Sequence, residues 1–114
     1  MRGAIRVSED TTGSVLGSTE RLLEAILQRN EIEHDDLVSA FFTVTEDLRS
    51  AFPAEAARRM GLGRLPLLCA LEIPVQGSMT RVVRVLVHFH TERTPRDVVH
   101  VYLDGAETLR DDFG

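Results

Sequence analysis

Residues 66–90 read PLLCALEIPVQGSMTRVVRVLVHFH, and this stretch decides the fold. Two apolar runs flank a Pro-Val-Gln-Gly-Ser connection, a pattern typical of two strands joined by a turn or loop. Three side chains interrupt the apolar runs with reactive or charged groups: Cys69, Glu72 and Arg84. Charged groups are costly at apolar strand positions unless they are paired or used. We therefore predict that the three side chains line a small pocket for an anionic molecule.

The second apolar run, from Arg81 to His90, predicts a strand with two different faces. One face carries the polar residues and a leucine: Arg84, Leu86, His88 and His90. The other face is apolar: Val83, Val85, Val87 and Phe89. We expect the valine face to lie under helices, so the arginine face turns toward solvent or another subunit. A solvated strand cation remains the alternative for Arg84.

Apolar periodicity and turn residues predict two helices and three further strands, besides the strands Pro66–Ile73 and Arg81–His90. The predicted helices are Gly13–Arg29 and Pro53–Met60, and the further strands are Met1–Val7, Leu37–Thr45 and Val98–Leu103. The order β-α-β-α-β-β-β predicts one α+β domain over residues 1–114, with a mixed sheet.

Composition excludes several kinds of function. The 114 residues include no lysine, so all 13 cationic side chains are arginine. A lysine Schiff base, lysine-bound pyridoxal phosphate and a P-loop are therefore excluded. The net charge of −5 argues against general binding to nucleic acid or acidic membranes. The single cysteine, with no apolar run long enough to span a bilayer and no signal peptide, predicts a cytoplasmic protein.

Several candidate residues have simpler interpretations. Cys69 and Glu72 are three apart, so they point to opposite faces unless a bulge or a strand end intervenes. A buried, inert cysteine is the simpler interpretation of Cys69. His88, His90 and His100 permit a zinc site, but stacked or partner-facing histidines are simpler.

Three further candidates have equally simple alternatives. Tyr102 is equally consistent with a core tyrosine whose hydroxyl is satisfied. Arg58 can serve as a cation at a helix C-terminus, and Arg110 as a surface charge.

Five segments in order resemble the small trimeric α/β class of chorismate mutase, over nearly the whole chain. They are Arg2-Gly3-Ala4, FTVTEDLRSAFPAEAAR from Phe42, PLLCALEIPVQGS from Pro66, RVVRVL from Arg81 and HVYLDGAETLRDD from His100. Each segment is weak alone, whereas all five at these separations are specific.

The resemblance implies a fold and a reaction. The mixed five-stranded sheet would carry two helices on one face, and three subunits would form a pseudo α/β barrel with sites at their interfaces. The reaction would be the Claisen rearrangement of chorismate to prephenate, in phenylalanine and tyrosine biosynthesis. It is unimolecular and needs no cofactor and no metal.

The resemblance also implies catalytic residues. Arg84 would reach the ether oxygen and a carboxylate of the substrate. Arg2 would contact the ether-bridge side and a carboxylate. Glu72 would accept a hydrogen bond from the substrate hydroxyl.

Six substrate-binding residues are implied in the same way: Cys69, Tyr102, Phe52, Arg58, Leu109 and Arg110. Cys69 would pack near the substrate hydroxyl, and Tyr102 would donate to a carboxylate. Phe52 and Arg58 would come from the adjacent subunit. Leu109 and Arg110 would help to close the site.

Two other functions remain open from sequence. One is a trimeric imine deaminase of related fold, and the other is a non-catalytic protein that binds aromatic-pathway acids. The tail motif from His100 and the Cys69/Glu72 pair favour the mutase.

Overall fold

The computed structural model describes the backbone of residues 1–113 and the side chains of residues 1–109. That part of the chain contains two α-helices and five strands. Their bounds are β1 Arg2–Arg6, α1 Thr12–Arg29, β2 Leu37–Val44, α2 Ala54–Arg59, β3 Leu67–Leu71, β4 Val82–Phe89 and β5 Val101–Leu103. Three 3₁₀ helices accompany them: His34–Asp36, Pro95–Asp97 and Ala106–Phe113. None of the described helices is long and apolar enough to cross a membrane.

The five strands form one sheet in the order β3-β2-β4-β1-β5. β4 runs antiparallel to both of its neighbours, β2 and β1. The two outer pairs, β2–β3 and β1–β5, are parallel. A parallel pair needs a crossover, and α2 supplies the one between β2 and β3. The predicted mixed sheet is thus confirmed.

The valine face of β4 lies in the core, as predicted. Val83, Val85 and Val87 are at most 3% exposed, whereas Leu86 on the opposite face is 39% exposed. The same core cluster contains Ile26 of α1 and further residues of α1 and α2. Both helices therefore cover one face of the sheet and leave the arginine face uncovered by them.

β1 lies so close to α1 that a side chain at residue 3 would be crowded. A Cβ at Gly3 would lie 2.9 Å from Ile26 Cδ1 and 3.1 Å from the Val101 carbonyl oxygen. The carbonyl belongs to the pairing of β1 with β5, so it cannot shift without disturbing the sheet. The glycine thus fixes the backbone that follows Arg2.

The C-terminus of α1 is tied to the segment before β5 by Asn30, which is 4% exposed. Its Nδ2 donates to the carbonyl oxygens of Ile26 at 3.0 Å and Val99 at 2.9 Å. Its Oδ1 accepts the Val99 N–H at 2.7 Å. The side chain therefore occupies both backbone groups of Val99. This explains why β5 begins at Val101, and the predicted start at Val98 is wrong.

Candidate active site

The sheet face opposite the helices gathers polar side chains from four strands. The register places Thr43, Arg84, Ala4 and Tyr102 side by side across β2, β4, β1 and β5. Arg2 lies two residues before Ala4 and hence on the same face. These five residues line a cavity of about 340 Å³, whose other walls are mostly apolar. We call this surface the arginine face.

Arg84 and Glu72 form the charged centre of the arginine face. Arg84 Nε lies 2.7 Å from Glu72 Oε1, and Thr43 Oγ1 donates to Glu72 Oε2 at 3.2 Å. The two charged side chains are 33% and 22% exposed, so each charge is partly desolvated and depends on the other. The contact is an ion pair without hydrogen-bond geometry at Nε. Among the described residues none accepts a hydrogen bond from the Arg84 guanidinium, so its donors can serve a bound anion.

Glu72 reaches the arginine face because β3 ends one residue before it, at Leu71. Its backbone N–H still donates to the Val44 carbonyl oxygen at 2.9 Å, which holds it beside β2. Alternation puts Glu72 on the same side as Ala70, and Ala70 is opposite Thr43 in the register. Glu72, just after the end of β3, is therefore placed beside Arg84.

Cys69 lies on the other face of the sheet. It is opposite Phe42, which is 1% exposed, and it packs against the helix-side core. Together with Phe52 it lines a second cavity of about 370 Å³, and Phe52 is 73% exposed there. We call this the Phe52 cavity. A single chain therefore does not bring Cys69 together with Glu72 and Arg84.

Arg58 lies on α2 as an exposed cation. Its Nη1 is 3.0 Å from Glu55 Oε2, one helical turn earlier, and both side chains are about half exposed. Such a pair is screened by solvent and weak, so Arg58 is available to another anion.

The segment before Phe52 is anchored by Asp10. Its Oδ1 accepts the backbone N–H groups of Arg49 at 3.0 Å and Ser50 at 3.1 Å. The Ser50 hydroxyl donates to the Asp10 carbonyl oxygen at 2.9 Å. The Ser50 side chain and the two N–H groups favour the charged carboxylate, so the pKa of Asp10 lies below its ordinary value.

The 3₁₀ helix Ala106–Phe113 follows the strand that carries Tyr102. Tyr102 is 9% exposed and clusters with Ala4, Val82 and Ala106. Leu109 packs against this cluster, which places it beside the arginine face. Arg110 is also predicted to bind substrate, but its side chain lies outside the described residues.

Three polar residues that shape the site were not predicted to do so. Thr43 meets Glu72 only through strand pairing, which no local signal in the sequence reveals. Asn30 directly follows the predicted helix Gly13–Arg29 and was given no role, although a buried amide can join two segments. His100 was considered as a metal ligand, yet its Nδ1 accepts the Arg2 backbone N–H at 2.9 Å. Among the described residues, no group of three His, Cys, Asp or Glu side chains could hold a metal ion.

Comparison with known proteins identifies the family to which this fold belongs. The model of the family "Chorismate mutase type I" matches residues 1–113. The chain is 53% identical to chorismate mutase AroH of Thermus thermophilus, over 99% of this chain and 93% of that protein. It is 34% identical to chorismate mutase AroH of Bacillus subtilis, over 99% and 90%. The solved chorismate mutase from Clostridium thermocellum superposes with a TM-score of 0.93 at 44% identity, over 95% of this chain and 96% of that one.

The matching family model, the curated relatives and the solved structure place this chain among the isomerases. The chain belongs to the chorismate mutase type I family. It is an enzyme of aromatic amino acid biosynthesis, and the predictions of family, fold class and enzyme class are confirmed.

Proposed function

We propose that chorismate is rearranged to prephenate at sites completed by two subunits of a homotrimer. Arg84 stabilises the charge that develops on the ether oxygen. The observation that carries this proposal is the partly buried Arg84 guanidinium, which is ion-paired with Glu72 and makes no hydrogen bond to a described residue. We place the enzyme in the cytoplasm, where an unpaired cysteine such as Cys69 is ordinary.

The reaction sets two demands on the site. In one step the ether C–O bond breaks and a C–C bond forms within the same molecule, so no external nucleophile or base takes part. The site must hold the reactive chair-like conformer, which the free substrate populates poorly. It must also favour the negative charge that grows on the ether oxygen, and it must do so more strongly in the transition state than in the ground state.

Arg84 stabilises the negative charge that grows on the ether oxygen. The ion pair with Glu72 fixes its Nε side, so its remaining donors are held in place before the substrate arrives. A preorganised cation in a partly desolvated site costs little reorganisation when charge develops. Glu72 retains lone pairs beside its contacts with Arg84 and Thr43, and one of them accepts the substrate hydroxyl.

The reactive conformer is held by Arg2, Tyr102 and the end of the chain. Arg2 and Tyr102 both line the arginine-face cavity, from adjacent strands. A guanidinium and a phenol in this arrangement bind the two carboxylates of the substrate and restrict its conformation. Leu109 closes the site from the 3₁₀ helix.

The uncovered arginine face supports assembly of subunits. Leu68, Phe41 and Leu86 lie side by side on it and are 62%, 41% and 39% exposed. An apolar row of this kind is typical of a protein–protein interface. A closed ring of three subunits buries this row in each chain.

The neighbouring subunit supplies the rest of the site. Cys69, Phe52 and Arg58 do not lie on the arginine face of their own chain. Cys69 and Phe52 share the Phe52 cavity, so the same subunit contributes both of them. Phe52 covers the substrate, Cys69 packs near its hydroxyl without acting as a nucleophile, and Arg58 leaves Glu55 to attract a carboxylate.

Dilution tests the shared site. Turnover per chain, measured by loss of chorismate and appearance of prephenate, is expected to fall at the concentration where sedimentation shows trimers dissociating. Full turnover per chain in a monomer would overturn the shared site.

A further inference from the structure

The backbone of Arg2 is held by a side chain at the point where strand pairing ends. The Met1 amino group donates to the Val87 carbonyl oxygen at 3.1 Å, and the Val87 N–H donates to the Met1 carbonyl oxygen at 2.9 Å. Successive residues of a strand point their N–H groups to opposite sides, so the Arg2 N–H faces away from β4 and toward β5. The acceptor there is His100 Nδ1, at 2.9 Å.

The His100 imidazole lies just beyond the end of the backbone pairing between β1 and β5. That pairing begins with Gly3 opposite Val101. Asn30 occupies both backbone groups of Val99, two residues before Val101. The His100 side chain therefore extends the hydrogen bonding by one residue, as far as Arg2.

We propose that His100 is a positioning residue for Arg2. By accepting the Arg2 N–H it fixes the backbone from which the Arg2 guanidinium enters the substrate cavity. A ring nitrogen accepts only when it carries no proton, so His100 acts as a neutral imidazole protonated at Nε2. This inference rests on the catalytic role proposed above for Arg2.

Two substitutions separate positioning from simple packing. Asparagine can place its Oδ1 where Nδ1 lies, whereas leucine fills similar space without an acceptor. We expect His100→Leu to lower kcat/KM about ten- to a hundredfold, the range expected when a substrate-orienting group is misplaced. His100→Asn should stay within about threefold of wild type, because an acceptor for the N–H remains. Trimer content and the thermal midpoint are measured for each variant, and His34→Leu, an exposed histidine outside the site, should leave kcat/KM unchanged.

A double-mutant cycle with Arg2→Ala then tests whether His100 acts through Arg2. In the Arg2→Ala background, His100→Leu should cost less than about twofold, because the group that it positions is gone. An equal loss in both backgrounds would overturn the inference, as would His100→Asn being as slow as His100→Leu. If Arg2→Ala itself turned over normally, the proposed role of Arg2 would fail and the inference with it. A slow Arg2→Ala with additive His100 losses would remove only the inference.

Discussion

Arg84 is the residue on which the proposed mechanism depends most. We expect Arg84→Ala to lower kcat at least about a hundred- to a thousandfold, the loss typical of one oxyanion donor. Arg84→Lys should lose less, because it keeps a charge but not the planar fork. Steady-state kinetics on trimeric protein measure the effect, with Arg29→Ala at the end of α1 as a control. Near-normal turnover of Arg84→Ala would contradict the mechanism.

For single residues, the sequence predicts the face to which a side chain points better than it predicts the residues that the side chain contacts. Alternation correctly places Arg84 opposite the valine face. The prediction that Cys69, Glu72 and Arg84 line one pocket is not met within one chain, because Cys69 lies on the helix side of the sheet. The expectation that unusual charges are paired is met, since Arg84 contacts Glu72. The part played by Thr43 could not be predicted, because it depends on the register between β2 and its neighbours.

The end of α1 determines where β5 can start. Asn30→Ala would leave both backbone groups of Val99 without their partner in a partly buried place. We expect the free energy of unfolding to fall by about 1 kcal/mol, the lower end of the range for polar groups left unsatisfied, because Val99 is partly exposed. Urea unfolding at fixed chain concentration measures it, with Arg29→Ala, an exposed neighbour at the end of α1, as the control. An unchanged free energy for Asn30→Ala would contradict this assignment.

The anchor of the segment before Phe52 should depend on pH. The pKa of Asp10 is lower in the folded than in the unfolded chain. Its carboxylate therefore stabilises the fold above the ordinary carboxyl range, and this contribution is lost as pH falls through the lowered pKa. Urea midpoints of wild type and Asp10→Asn, compared between about pH 7 and about pH 3, should converge toward acid. A constant difference would argue against the anchor, and Glu9→Gln, an exposed neighbour, should show no difference at either end.

Local patterns predict most elements, and tertiary contacts account for the error. The apolar periodicity of α1, the turn residues around α2 and the alternation of β4 are local properties of the sequence. The start of β5 is not local, because Val98 and Val99 are good strand formers. Asn30, about 70 positions earlier in the chain, prevents that pairing through its side chain.

At the scale of the molecule, the proposed site residues lie on two separate surfaces of one chain. The arginine face holds Arg2, Glu72, Arg84 and Tyr102, whereas the Phe52 cavity holds Cys69 and Phe52 on the helix side. The proposed trimer would bring these two surfaces together from neighbouring copies. Periodicity within one chain contains no information about this, and the trimer was predicted from family resemblance alone.

Mixed trimers test this shared site most directly. One variant carries Arg84→Ala, the other carries Phe52→Ala and Arg58→Ala, and each alone should be nearly inactive. If a site takes Arg84 from one subunit and the other two from its neighbour, random mixing in equal amounts restores about a quarter of the sites. The measurement is prephenate formation before and after verified subunit exchange. Recovery toward a quarter of wild-type activity is the expected result, and no recovery after exchange would contradict the shared site.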